Sequence, residues 1–301
     1  MATTQAFAAA AGPAPPRPGP APLRRILCTI DFSEASVAAV AEAVALAHAC
    51  RGEITVLFVI PYAAPSRADR PQVPAGVSSA VTEDIEALLE PARAAGIPVR
   101  VCLKAGRPAH EILETVRRTT PDVIVMGTHG RGGFKRWALG SVTDDVLRSA
   151  ACPVLTIGHR RRKPAVPVSA RSDAVVCAVG LSPSSPRTVA YACEVARATG
   201  ARVTLLHVIE ERATTDMREA CLRLHALAAA HGQPGDRIEE VVVAGVPARQ
   251  ILRTAASRRA ALVVVGGGSR SDRVSFGSTP DQVIRGARCA VLTVRSASEG
   301  A

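Results

Sequence analysis

Asp122–Asp145 reads DVIVMGTHGRGGFKRWALGSVTDD. Its opening, Val123-Ile124-Val125-Met126, is a short unbroken apolar run of the kind that forms a parallel strand covered on both faces. Gly127 follows, then Gly130, Gly132 and Gly133, and beyond a basic-apolar patch at 135–139 come Gly140 and Ser141. Val142 to Ser149 has the pattern of a short helix, with Ser141 predicted as its N-cap. A glycine-flanked loop running from a strand into a helix start presents free backbone N–H groups and the positive end of a helix dipole. That combination favours an anion, most often a phosphate.

Outward from this stretch the chain alternates between apolar strand runs and helical segments. Arg25 to Asp31 is a buried-type strand ending on a carboxylate, and Ser33 or Ser36 can cap the Ala-rich helix that runs on to about Arg51. Glu53–Ile60 is a second strand, and Pro61–Gly76 a polar, proline-containing loop. A helix is expected from Val77 to about Ala95 and a third strand over Val99–Lys104. Gly106-Arg107-Pro108 opens another helix, with Pro108 in the first turn where its missing N–H costs nothing. Cys152–Ile157 supplies a fifth strand. This βαβαβαβαβ order requires a parallel sheet wrapped by helices on both faces. With strand order 3-2-1-4-5, Asp31 and the Gly127–Gly140 loop face one crevice at the carboxyl ends of the central strands.

The whole pattern then repeats in register. Val175–Gly180 parallels Ile26–Asp31, Arg202–Ile209 parallels Glu53–Ile60, and Ala244–Pro247 parallels Ala105–Pro108. Ala261–Val265 parallels Val123–Met126, and Cys289–Val294 parallels Cys152–Ile157. The expected organisation is α/β: two tandem, doubly wound, five-stranded parallel-sheet domains of Rossmann-like type. Residues 23–158 form the first and residues 174–296 the second, with an Ala/Pro-rich disordered tail over 1–22 and a basic linker over 159–173. The second copy departs at the crevice. Gly180 replaces Asp31, and ten residues rather than twelve separate Gly266 from Gly277, so a degenerate or weak site is expected there.

Gly127, two residues, Gly130, nine residues, then Gly140-Ser141-Val142-Thr143 resembles the G-x2-G-x9-G-[ST] signature of the ATP-binding branch of the universal stress protein family. With the repeat, the resemblance covers nearly all of residues 23–295. It implies an adenine nucleotide alpha hydrolase-like fold, ATP with Mg²⁺ or Mn²⁺ as cofactor, a cytoplasmic stress-response role, and pairing of the domains through their last strands. A homodimer and a further protein partner are compatible with it. On the same resemblance, Asp31 lies by the ribose and the metal-bound phosphates, reaching the metal directly or through water. The backbone of Val59 meets adenine, and Gly127, Gly130, Gly140, Ser141, Val142 and Thr143 form the ribose- and phosphate-binding loop. Taken as residues alone, Asp31 also reads as a helix-capping carboxylate, Val59 as a core strand residue and Ser141 as a simple N-cap.

Composition narrows the alternatives. Eight cysteines include no Cys-x-x-Cys pair, which gives zinc and thioredoxin-like readings no support. No stretch of about 18 uncharged apolar residues is present, so no membrane helix is expected. Net charge is +11, yet residues 26–158 hold 13 Lys and Arg against 14 Asp and Glu, and four of the excess cations are the run Arg160–Lys163. With aromatics at 3% there is little to stack on bases, and a solvated linker explains the charge better than a nucleic-acid surface. A slow ATPase or phosphotransferase is the rival to a regulatory nucleotide binder. Against efficient catalysis stand the missing G-x4-G-K-[ST] lysine and the want of any evident general base beyond Asp31. No G-x-G-x-x-G follows the first strand, which disfavours a redox dinucleotide enzyme.

Overall fold

The computed structural model describes residues 22–62, 75–130, 139–158, 174–210, 216–267 and 278–295. The tail, the 159–173 linker with Arg160–Lys163, and the loop residues 131–138 and 268–277 lie outside the described residues. In the first half, strands β1 (Arg25–Ile30), β2 (Glu53–Pro61), β3 (Val99–Gly106), β4 (Val123–Gly127) and β5 (Val154–Ile157) alternate with helices. The helices are α1 (Glu34–Cys50), α2 (Ala75–Ala94), α3 (Pro108–Thr119) and α4 (Ser141–Ser149). The second half repeats the order with β6 (Ala174–Ala178), β7 (Arg202–Ile209), β8 (Ile238–Ala244), β9 (Leu262–Gly266) and β10 (Ala290–Val294). Its helices are α5 (Ser185–Thr199), α6 (Met217–His231), α7 (Pro247–Ser257) and α8 (Thr279–Gly286).

Both halves have the expected 3-2-1-4-5 winding, and they fuse into one ten-stranded sheet of order β3-β2-β1-β4-β5-β10-β9-β6-β7-β8. All pairings within each half are parallel. The seam between β5 and β10 is antiparallel, with Leu155 opposite Leu292 and Thr156 opposite Val291. Thr156 Oγ1 also donates to the Val291 carbonyl across the seam, at 3.2 Å. An apolar strand such as Val-Leu-Thr-Ile would be an open template for other chains if left at an edge. The seam removes that edge from both halves.

Period-two alternation divides the core between the two faces of the sheet. Ile26, Cys28, Val123, Val125, Leu262 and Val264 point to the face covered by α1, α2, α5 and α6. Leu27, Ile124, Met126, Val263 and Val265 point to the face under α3, α4, α7 and α8. Because so few aromatics are available, the layers are closed by short side chains. Ala39, Ala43 and Ala47 of α1 are essentially fully buried, which brings that helix close to the sheet. No helix among the described residues is long and apolar enough to cross a membrane.

In each half the chain winds outward from its first strand through the second and third, then returns to the other side of the first. The reversal falls between β1 and β4, and again between β6 and β9. Crevices form at such reversals, outside the carboxyl ends of the strands.

Candidate functional site

The first crevice is built on a strained turn. The β1–β2 ladder ends at Ile30 opposite Phe58, so Asp31 and Val59 are the first residues past it. Phe32 then takes the left-handed conformation (φ 59), which a bulky residue holds only when its surroundings impose it. Its ring packs on Phe58 at 5.3 Å between centroids. Ser33 caps α1 by accepting from the Ser36 N–H at 3.2 Å. Asp31 Oδ1 accepts from the Ser33 N–H at 3.0 Å, and the Asp31 N–H donates to Ser36 Oγ at 3.3 Å. The capping reading of the sequence therefore belongs to Ser33. Among the described residues, Asp31 anchors the turn through Oδ1.

The other oxygen faces the β4 loop. A Cβ built on Gly130 would lie 2.7 Å from Asp31 Oδ2. Ser33 Oγ donates to the His129 carbonyl at 3.1 Å, tying the two loops together from behind. Gly127 is needed for packing as well: its Cβ would meet Ala35 Cβ at 2.9 Å and Ser36 N at 3.0 Å, where α1 begins. Across the crevice, the Gly140 N–H donates to the Thr128 carbonyl at 2.9 Å, and a Cβ on Gly140 would sit 3.2 Å from the same oxygen. Thr143, 4% exposed, donates from Oγ1 to the Gly127 carbonyl at 2.9 Å. These contacts bring Asp31, Gly127, Gly130, Gly140 and Thr143 to one place. Val59 stands beside Asp31 on the next strand, its side chain buried in the opposite-face core.

One expectation is corrected. Ser141 is not the N-cap; it is the first residue of α4, and Gly140 (φ −61, ψ 141) takes the cap position without a side-chain hydrogen bond. Gly140, with no side chain, approaches Thr128 closely enough to start the helix one residue early. The hydroxyl of Ser141 is consequently exposed, and the first-turn N–H groups of α4 have no side-chain cap. Such groups await an acceptor from water or ligand. Asp144 in the first turn would repel an anion, but Arg148 pairs with it at 2.8 Å. Val142 is half-buried and packs against the α3–α4 core cluster.

The sequence singled out Thr143 through the Gly140–Thr143 signature but not its bond to the Gly127 carbonyl, and it did not point to the links made by Thr128 and His129, which carry no distinctive spacing. In the second half, Ser278 caps α8 with its own hydroxyl, and a cavity of about 570 Å³ opens at the ends of β6, β7 and β9. From the sequence a degenerate or weak site is expected at this crevice, and a cavity of this size was not anticipated.

The fold and site define a tandem, doubly wound α/β protein whose crevice combines a strand-end carboxylate with an uncapped helix start. Comparison with known proteins makes this specific. The model of the universal stress protein family matches residues 22–158 and again 172–295, and the chain belongs to that family. A universal stress protein of Methanocaldococcus jannaschii is 28% identical over 144 residues, 46% of this chain and 85% of its own length. One from Mycobacterium tuberculosis is 29% identical over 187 residues, which span 58% of this chain and 62% of the relative. The crystal structure of a universal stress protein from Archaeoglobus fulgidus superposes with a TM-score of 0.73 at 26% identity, covering 90% of this chain and 97% of that one.

Proposed function

We propose that residues 23–158 form an adenine-nucleotide-binding unit, residues 174–296 its altered copy, and that the chain acts as an ATP-dependent regulator in a cytoplasmic stress response. The observation that carries this reading is the uncapped start of α4 at Gly140, set across a crevice from Asp31 Oδ2 with a glycine, Gly130, between. A phosphate chain needs N–H donors and close backbone approach, and the first is found at a helix start, the second at glycines. Ser141, exposed at that start, would add a hydroxyl donor.

The residues also fit a divalent cation brought in with the nucleotide. Among the described residues no group of three His, Cys, Asp or Glu could hold a metal ion by itself. Mg²⁺ is ordinarily bound by one or two carboxylates together with substrate phosphates, and Asp31 Oδ2 would serve as that carboxylate. When bound, the ion would neutralise phosphate charge; the chain itself contributes position and hydrogen bonds. Among the described residues the crevice assembles position and hydrogen-bond donors and no activated nucleophile, so binding rather than turnover is the reading proposed. Native mass spectrometry of freshly purified chain, followed by titration calorimetry with ATP and Mg²⁺, tests it. One nucleotide per chain is expected, and protein that neither carries nor binds adenine nucleotide would overturn it.

A further inference from the structure

The second crevice keeps its place in the fold and changes its chemistry. The registers pair Cys28 with Val56 and Cys177 with Leu205, so Gly180 stands where Asp31 does and His207 where Phe58 does. A Cβ on Gly180 would have no atom within 4 Å, so the position of the lost carboxylate is open space. The helix start is altered too. Ser278 Oγ accepts from the Asp281 N–H at 3.5 Å, and Pro280, in the place of Thr143, has no N–H to offer. One of the first-turn donors of the first half, the Thr143 N–H, is therefore gone, and the helix start carries a side-chain cap that α4 lacks.

What remains is a mixed cavity of about 570 Å³, a size ordinary for small-molecule sites. One wall is aliphatic, from Leu206, Ile251 and Val265. The other carries Ser185, Thr188 and His207, all more than nine-tenths buried. His207 Nδ1 lies 2.8 Å from the Val179 carbonyl. A carbonyl can only accept, so Nδ1 holds a proton, and in the neutral form of the ring Nε2 is the acceptor. Among the described residues, Nδ1–Val179 is the hydrogen bond this ring makes. Among the described residues that line the cavity, the ionic group is Glu210, exposed and acidic. The carboxylate at the mouth disfavours phosphate, while the hydroxyls and the ring acceptor suit a ligand carrying O–H and N–H donors.

We propose that this cavity binds an uncharged small molecule with an apolar face and O–H or N–H donors, the chemistry of an unphosphorylated nucleoside. The inference goes beyond nucleotide binding in the first domain and does not depend on it.

Adenosine and ATP share base and sugar and differ in phosphate charge, which makes them the probes. The full chain, labelled at its histidine rings, is titrated with each and followed by NMR, His207 being assigned from the His207→Phe variant. Adenosine is expected to shift the His207 ring signals, with ATP at least tenfold weaker at that ring. Gly180→Leu, which fills the open space, should abolish the adenosine shift. Gly140→Val should leave it intact while removing ATP binding from the first domain, so the two readings fail separately. Should Gly180→Leu lower the melting temperature, Thr188→Val decides instead, through an adenosine affinity reduced tenfold or more. An unmoved His207 ring in adenosine, an equal or stronger response to ATP, or an adenosine shift that survives both variants overturns the proposal.

Discussion

Asp31 and Gly130 are so close that a methyl group added to Gly130 would sit 2.7 Å from the carboxylate Oδ2, while Oδ1 is held by the Ser33 N–H at 3.0 Å. The two oxygens thus have separable roles, and substitution can separate them. Asp31→Asn keeps an oxygen for Ser33 and removes the charge. It should lower ATP–Mg²⁺ affinity by ~1.5–3 kcal/mol, roughly ten- to a hundredfold, at an unchanged melting temperature. Asp31→Ala should add a stability loss of about 1 kcal/mol for the orphaned N–H. Calorimetry and thermal melts measure both. A collapse in stability with affinity per folded molecule preserved would make Asp31 a turn residue and nothing more.

Nucleotide should be held unequally by the two halves, with one tight ATP per chain. Gly140→Val crowds the Thr128 carbonyl, 3.2 Å from an added Cβ, and should abolish tight binding. Pro280→Thr and Gly180→Asp restore to the second half the residue types of the first, and together should create a second, weaker ATP site. Stoichiometry from native mass spectrometry reads both outcomes. Two equivalent ATP molecules in the wild-type chain would refute the asymmetry.

Thr143→Val preserves shape but removes the 2.9 Å bond from Oγ1 to the Gly127 carbonyl. The site is buried, so a loss of about 1–3 kcal/mol is expected in urea denaturation, with ATP affinity reduced as the α4 start loosens from β4. Stability equal to wild type would show the carbonyl finding water instead.

Burial pushes the Cys28 and Cys152 thiols up to about 12 and raises Cys177 as well. At pH 8 a disulfide-exchange reagent should modify the exposed Cys221 quickly and reach Cys28 and Cys177 only on unfolding. The linkage has a definite sign. Unfolded thiols ionise near pH ~8.5 while the buried ones stay protonated, so stability is full below that pH and falls as pH rises towards about 12. Rapid labelling of Cys28 or Cys177 in the folded chain would contradict this packing.

The fold was legible because unbroken apolar runs and helix-patterned segments alternate twice, and because the duplicated order leaves one topology. The glycine spacing pointed to the loop after β4, and Asp31 stood out by its place at a strand end. What could not be read is whatever depends on atoms meeting across loops. The one-residue shift of the α4 start follows from a backbone approach at Gly140 that spacing does not encode. The cavity beside His207 was hidden because losing Asp31 reads, in sequence, as losing a site. In space the same change makes room, and a histidine in an apolar strand pattern looks like ordinary core.

The antiparallel seam of β5 and β10 has an evolutionary consequence. When two identical chains meet along such an edge, every substitution appears twice, and neither crevice can change without the other. Joining the partners in one polypeptide lifts that constraint: Gly180 and His207 could replace an acid and an aromatic on one side alone while Leu155 and Leu292 kept the halves together. Duplication here amounts to a licence for two neighbouring sites to diverge.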